Sequence, residues 1–479
     1  MLDQELKSYA QSNIYPWHMP GHKRVALDTD NPYAIDITEI DGFDNLHNAE
    51  GILKEAQERA AALYHARRSF YLVNGSTCGL LAAVCAACRR GGRILVARNC
   101  HHAVYHAIAI WNLQADYLYP PMSPVGVVGE ITADSVAGAL QEKAYDAVLI
   151  TSPTYDGVVS DVAAIAAVVH DKGIPLIVDE AHGAHFGLSA FFPKSAVTQG
   201  ADLVIQSMHK TLPSFTQTAL LHLCSSRVAE SDVERYLDYY ETSSPSYVFM
   251  AGMERCIRLL SEKAPGLYEA FYHRLMRFYD RMKALKHLRV VDPRDCRSCF
   301  YDMDASKILI FTEKTMLSGA KLHEKLLQEY GLQMEMASLD YVLAMSSIMD
   351  TEEAFVRLGD ALLAIDETLS AQEAMAHGDV VREIQHIYTP LEARMTITEA
   401  EEISRHSRQI TPFEEAQGRI SAEYVYLYPP GIPILVPGEV ITDKTIADLK
   451  RCGQLGLAIQ HTASAESLYT LADEREIHG

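Results

Sequence analysis

Lys210 lies in the stretch "IQSMHKTLPSFTQTALLH", residues 205–222, between an apolar, strand-like run and the turn Thr211-Leu212-Pro213. A primary amine kept out of water at a strand end sheds its proton easily and attacks carbonyl carbons. The same amine snorkelled to solvent, or paired with a carboxylate, is ordinary surface charge. Its neighbours Ser207 and His209 leave both readings open.

Three other stretches combine with it. In "LVNGSTCGL", residues 72–80, a strand ends at Asn74-Gly75 and Ser76-Thr77 opens an apolar helix. Gly75 lets the backbone approach a ligand, and the helix-start N–H groups with two hydroxyls suit a phosphate. A capped helix after a turn reads the same way, and the Gly-Lys-Ser/Thr ending of a P-loop is missing. In "LIVDEAHGAHFG", residues 176–187, Asp179 and Glu180 close an apolar strand, where an unpaired carboxylate is costly. Asp179, Glu180, His182 and His185 form one possible metal set. Asp179 facing a protonated ring nitrogen is a second reading, and a helix-capping aspartate a third. In "ARNCHHAVYHAI", His101, His102 and His106 crowd a helix start. His102 and His106 are spaced to share a metal, while a flat imidazole there can stack on a flat cofactor.

Taken together, a phosphate cradle, a stacking ring, an acid for a pyridine nitrogen and a lysine are the parts of a pyridoxal-phosphate site. Their order along the chain matches the aspartate-aminotransferase-like architecture, fold type I.

These residues need a scaffold. Strand candidates "RSFYLV", "RILVA", "ADYLYP", "AVLITSP", "IPLIVDEA", "DLVIQSM" and "ALLHLC" alternate with helical segments at Cys100–Asn112, Thr132–Glu142 and Asp161–His170. This rhythm predicts an α/β large domain with a mostly parallel sheet, and open sheets of this kind bind ligands at the carboxyl ends of their strands. Past residue 230 the pattern changes to helix, Ser/Pro break and long helix, then to "SKILIFTE" and "DYVLAMSSI" flanking the helical "GAKLHEKLLQEY". Residues 366–412 read as charged and helical, and "YVYLYPPGIPILVPGE" as a rigid Pro-rich segment. The expected division is an N-terminal segment over 1–50, a cofactor-binding large domain over 51–245, a small α+β domain over 246–375 and a C-terminal domain over 376–479.

A chain of 479 residues exceeds what one core usually supports, and 48% apolar residues suffice for several. A net charge of −21 argues against nucleic-acid binding and suits a cationic small substrate. Apolar runs are too short to cross a bilayer, the N-terminus has no signal-peptide core, and nine scattered cysteines do not form a disulfide framework, so a cytoplasmic protein is expected.

The sequence resembles the Orn/Lys/Arg decarboxylase family of pyridoxal-phosphate enzymes, in the short form without an N-terminal wing domain. The resemblance rests on "HMPGHKR" (18–24), "DITEIDGFDNLHNAEGILKEAQERAA" (36–61), "SFYLVNGSTCG" (69–79), "RNCHHAVYHAI" (98–108), "TSPTYDGVVSD" (151–161), "IVDEAHGAHFG" (177–187), "SMHKTLPSFTQTALLH" (207–222) and "GRISAEYVYLYPPGIPILVPGE" (418–439). It implies that Lys210 forms an imine with the cofactor and Asp179 faces the pyridine nitrogen. It places His101 on the ring face and His182 near the phenolic side, with Gly75, Ser76, Thr77, Ser207 and His209 around the phosphate. Tyr155, Asp156 and Glu439 are implied near cofactor or substrate. It further implies a homodimer with active sites at the subunit interface, to which "HMPGHK" and the Glu439 region contribute, and a basic amino acid decarboxylated to its amine in polyamine synthesis. Arginine is favoured over lysine and ornithine. His102 and Ala103 stand where relatives carry lysine and serine, and "DGFDNLHNAEG" varies a segment that often has proline before the glycine.

Three rivals remain at this level. Transamination or β-elimination would use the same core residues. A non-catalytic homologue would keep the fold alone. A zinc site could draw on Cys85-x-x-Cys88 and Cys296-x-x-Cys299, although the first pair reads as buried helix.

Overall fold

A computed structural model describes residues 1–27, 31–369, 390–428, 432–454, 458–460, 463–464 and 466–472. Its central sheet has seven strands: β1 (Arg68–Leu72), β2 (Arg93–Ala97), β3 (Gln114–Leu118), β4 (Ala147–Thr151), β5 (Leu176–Asp179), β6 (Leu203–Ser207) and β7 (Ala219–Leu223). Their order is β1-β7-β6-β5-β4-β2-β3. The run from β6 to β3 is parallel, while β7 enters antiparallel between β6 and β1.

Alternating residues of the inner strands feed two different apolar clusters. Val148, Ile150, Val178 and Val204 point into one, and Leu149, Ile177, Leu203 and Ile205 into the other. Both faces are covered, which is why these strands read as continuous apolar runs. Helices α1 (Gly75–Ala87) and α2 (His102–Ile110) leave the carboxyl ends of β1 and β2. The parallel strands β2, β4, β5 and β6 therefore end on one edge of the sheet, where a ligand crevice is expected.

Ser246 caps helix α3 (Tyr247–Met282) by accepting from Phe249 N–H. Its 36 residues carry the chain to a second, four-stranded antiparallel sheet. The centre of that sheet is β8 (Lys307–Phe311) paired with β9 (Tyr341–Met345), and helices Gly319–Tyr330 and Glu352–Glu367 follow in the same region. Near the N-terminus, Tyr15–Trp17 pairs in parallel with Leu332–Met334, which lays the segment that follows against the same region.

The C-terminal part differs from the sequence reading in one place. Residues 408–412, expected to be helical, form a strand paired with Ser467–Leu471, while residues 370–389 of the expected helical stretch lie outside the described residues. In "YVYLYPPGIPILVPGE", whose residues 429–431 lie outside the described residues, Val425–Tyr428 and Ile432–Leu435 are antiparallel strands. Pro433 is tolerated because its strand is at the edge of a three-stranded sheet, where one face of the backbone lacks a partner. Val425, Ile434 and Leu435 bury their side chains in a small separate cluster, and that burial outweighs the proline.

In the variant segment "DGFDNLHNAEG", Asp44 accepts from the N–H groups of Asn45, Glu50, Gly51 and Leu53. A proline in place of Glu50 would forgo one of these bonds. Among the described residues no helix is long and apolar enough to cross a membrane.

Candidate active site

The strand ends border a cavity of about 410 Å³. At the end of β1 the backbone N–H groups of Val73 and Asn74 donate to Glu241 Oε1 (2.9 and 2.7 Å), and Gln217 Nε2 donates to Val73 O (2.6 Å). Gly75 follows with φ +76°, a left-handed turn that disfavours side chains. Asn74 makes no side-chain cap, so the first-turn N–H groups of α1 remain available where Gly75, Ser76 and Thr77 line the cavity. Ser76 Oγ meets Ser207 Oγ at 2.6 Å, and His209 is fixed by Nδ1 to Thr218 O (3.1 Å). A helix N-terminus with two hydroxyls and an imidazole in reach is a site for a dianionic phosphate.

Asp179 ends β5, is 3% exposed, and accepts from Ala181 N–H (3.1 Å). Burial raises its pKa, opposed by Lys210 and by that hydrogen bond. A carboxylate there calls for a positively charged partner in the cavity. Its register partner on β4 is Thr151, whose hydroxyl is buried without a hydrogen bond. Asn99 Oδ1, also in the cavity wall, is likewise unpartnered. Two such orphans beside a buried carboxylate mark a site shaped for a polar ligand.

Lys210 is in the short helix Met208–Thr211 after β6. Burial lowers its pKa, while Asp179 and Glu335 oppose the shift. The carbonyl of His209 accepts from Gly21 N–H (2.8 Å), so "HMPGHK" braces the lysine's helix from within the same chain. Lys23, 7% exposed, extends that brace by donating to the carbonyls of Pro16, His18 and Met345. Lys210 Nζ lies 3.1 Å from His182 Nε2. His101 caps α2 by accepting from Ala103 N–H at Nδ1 (3.2 Å), which leaves its ring at the cavity wall with an exposed face. The protein around it and then His102, Lys210 and His106 lower its pKa to about 3, so the ring is neutral.

Eleven of the twelve residues that the family resemblance places near cofactor or substrate line this cavity, Tyr155 and Asp156 included. Asp156 accepts from Tyr341 O–H (2.8 Å), and burial pushes its pKa up to about 6. Glu439 is the exception and does not line the cavity. Within this chain its carboxylate is paired with Arg98 and accepts from Val436 N–H, which holds the C-terminal region to the large sheet.

The metal set also separates. Glu180 turns to Ser195, Ala196 N–H and Gln206, His185 to Asp304, and His182 to two lysines. Among the described residues no three His, Cys, Asp or Glu side chains are grouped to hold a metal ion, and all nine cysteines are free.

Two residues at this site escaped the sequence reading. Lys307 opens β8, is wholly buried, and brings Nζ within 2.8 Å of His182 Nδ1. Glu335 accepts from Tyr155 O–H (2.6 Å) and from Met19 N–H (2.9 Å), and its charge acts on Lys210, Lys307 and His209. A lysine at the head of the otherwise apolar "KILIF" was a signal for the first; nothing local marks the second.

A mostly parallel sheet brings a glycine turn with a helix start, a histidine, a buried aspartate and a lysine to one edge, and the fold is that of the aminotransferase-like pyridoxal-phosphate enzymes. Residues 2–304 match the model of the Orn/Lys/Arg decarboxylase major domain, and residues 382–452 that of the C-terminal domain. The chain belongs to the Orn/Lys/Arg decarboxylase family and is a decarboxylase of basic amino acids. It is 30% identical to an arginine decarboxylase of Bacillus subtilis over 95% of this chain and 94% of that one. It superposes on the constitutive lysine decarboxylase of E. coli with a TM-score of 0.78 at 20% identity, over 98% of this chain and 81% of that one. An alanine–glyoxylate aminotransferase from Nostoc sp. shares the fold more distantly, with a TM-score of 0.53 at 13% identity over 65% and 86% of the two chains. The family's cofactor is pyridoxal 5′-phosphate, and the cavity fits it.

Proposed function

We propose that the protein decarboxylates arginine to the corresponding amine and CO2, with the cofactor held covalently at Lys210. The observation that carries this reading is the approach of Lys210 Nζ to 3.1 Å from His182 in a cavity that also holds the buried Asp179 carboxylate. Gly75, Ser76, Thr77, Ser207 and His209 take the phosphate, His101 covers a ring face, and Asp179 keeps the ring nitrogen protonated. Bound there, pyridoxal phosphate supplies an aldehyde carbon for amines and a protonated ring that accepts the electron pair freed as CO2 leaves.

The chain's own residues do the orienting. Asp179, behind the cavity, stabilises positive charge without water. Tyr155 and Glu335 stand beside the two lysines, and Glu335 offers a carboxylate to a substrate's distal cation. A guanidinium can use both carboxylate oxygens, which favours arginine over lysine and ornithine.

The test is a substrate panel. Arginine, lysine and ornithine are supplied to the purified protein with pyridoxal phosphate, and CO2, amine and keto acid are measured. Amine and CO2 in equal amounts, fastest from arginine, is the expected result; keto acid without CO2 would replace decarboxylation by transamination.

A further inference from the structure

His182 stands between two lysines, Nε2 to Lys210 at 3.1 Å and Nδ1 to Lys307 at 2.8 Å. A neutral imidazole has one N–H and one lone pair, so of two amines in contact with it the one that receives the N–H must be unprotonated, and only the one that donates to the lone pair can carry a charge. Burial, first of all, holds His182 neutral, and the titratable groups that face it add to this: Lys210 and His209 from the short helix after β6, Lys307 from β8, and His101 from the head of α2.

Two arrangements satisfy this count, and the surroundings choose between them. Lys307 lies in the negative field of Asp304, Glu335 and Asp156, whereas Lys210 has Asp179 and Glu335. The contact to Lys307 is also the shorter, as for a charge-assisted bond. The stem of Lys307 is fixed by close packing: a Cβ on Gly157, whose φ is +97°, would sit 2.8 Å from Lys307 Cγ. The Tyr155 ring, 4.8 Å from the His182 centroid, limits rotation of the imidazole.

We propose that Lys307 is a positioning residue that donates from its ammonium to His182 Nδ1, fixing the imidazole as the Nε2–H tautomer with that hydrogen facing Lys210. Whenever Lys210 is not joined to the cofactor, the three groups then share one positive charge, located on Lys307, and Lys210 keeps the lone pair of a free amine. Burial lowers the Lys307 pKa to about 8, so this arrangement fails above that pH, when Lys307 loses its proton. The inference rests on Lys210 being the reactive amine, yet its readout does not require turnover.

The test is 15N NMR of histidine-labelled purified protein, with His182→Gln assigning the His182 signals, together with kinetics of Lys307→Met and Lys307→Arg. Wild type is expected to show a neutral ring protonated on Nε2 from pH 6 to 7.5. Lys307→Met is expected to lose that single tautomer and to lower kcat by roughly 10- to 100-fold, with KM changed less than about twofold; Lys307→Arg restores much of both. A wild-type ring protonated on Nδ1, or doubly protonated, overturns the proposal. So does a folded Lys307→Met protein with an unchanged tautomer and kcat. If Lys307→Met does not fold, the wild-type spectrum decides. Failure of the proposed reaction shows separately, as a wild-type protein that releases no amine while its His182 tautomer is still read.

Discussion

Arg98 and Glu439, 341 residues apart in the chain, meet in a bidentate ion pair at 2.8 and 2.9 Å with both side chains buried. The pair is flanked by the rings of Tyr105 and Tyr117, and Arg98 Nη2 also donates to Ile434 O. It ties the C-terminal region to the end of β2, three residues before His101. Removing one partner strands a buried charge, which costs about 3–5 kcal/mol. Glu439→Ala is therefore expected to lower the unfolding free energy by that amount, read as a fall in the urea midpoint, and to weaken cofactor binding only as a consequence of unfolding. An unchanged midpoint with a large rise in substrate KM would return Glu439 to a substrate role.

Asp179→Asn tests the electrostatic half of the site. Asparagine keeps the shape but gives up the charge that holds a ring nitrogen protonated. We expect kcat to fall by about 10²–10³-fold, the scale for one preorganised electrostatic partner, while the protein still takes up pyridoxal phosphate. The check is the visible band of the bound cofactor beside the amine assay. Near-wild-type turnover would mean that Asp179 does not face the ring nitrogen.

Lys210→Ala should abolish both the visible band and amine release. Borohydride treatment of wild type should leave the reduced cofactor on the peptide that carries Lys210. Label recovered on Lys307 instead would reverse the roles of the two lysines.

Glu335→Gln tests the distal end of the substrate. A hydrogen bond to a charged partner contributes about 1.5–3 kcal/mol, so KM for arginine should rise roughly 10- to 100-fold. An equal loss of kcat with KM unchanged would show that Glu335 acts on the lysines instead of the substrate.

Acid sensitivity has a readable source in the core. His222 is fully buried, with Nδ1 to Ser69 Oγ (2.7 Å) and Nε2 to Gln206 Oε1 (3.1 Å), and burial lowers its pKa to about 3. Between that value and the usual 6.5 the unfolded chain binds the proton and the folded one does not. Its contribution is complete above pH 6.5 and is lost as pH falls, at up to about 1.4 kcal/mol per unit. Glu180, raised to about 7 by burial, acts in the opposite sense over pH 4.5 to 7, so the comparison must be with a variant. His222→Gln should lose less stability than wild type between pH 7 and 5 in urea titrations. Parallel pH profiles would count against the assignment.

The large sheet was legible because its strands are short, apolar and flanked by turns, and all seven candidates are present. Lys210, Asp179 and the Asn74–Thr77 turn were legible for the same reason: each breaks an apolar run at its carboxyl end. Lys307 and Glu335 were not, because they act on the cavity residues His182 and Tyr155 from a region more than a hundred residues onward, and their roles depend on packing between distant segments. The Arg98–Glu439 pair was not legible either, because a carboxylate in a recognisable motif does not announce its partner and Arg98 is 341 residues away. The strand at 408–412 was hidden by its charge and by a pairing partner, Ser467–Leu471, more than fifty residues onward.

The N-terminal segment is fastened at two places, by strand pairing of Tyr15–Trp17 with Leu332–Met334 and by the bond from Gly21 to the His209 carbonyl. It therefore works as a tie rod between the strand Leu332–Met334 and the residue preceding Lys210. A load that shifts that strand pulls on the lysine's helix, so the setting of the amine is a property of the whole subunit as much as of the cavity around it.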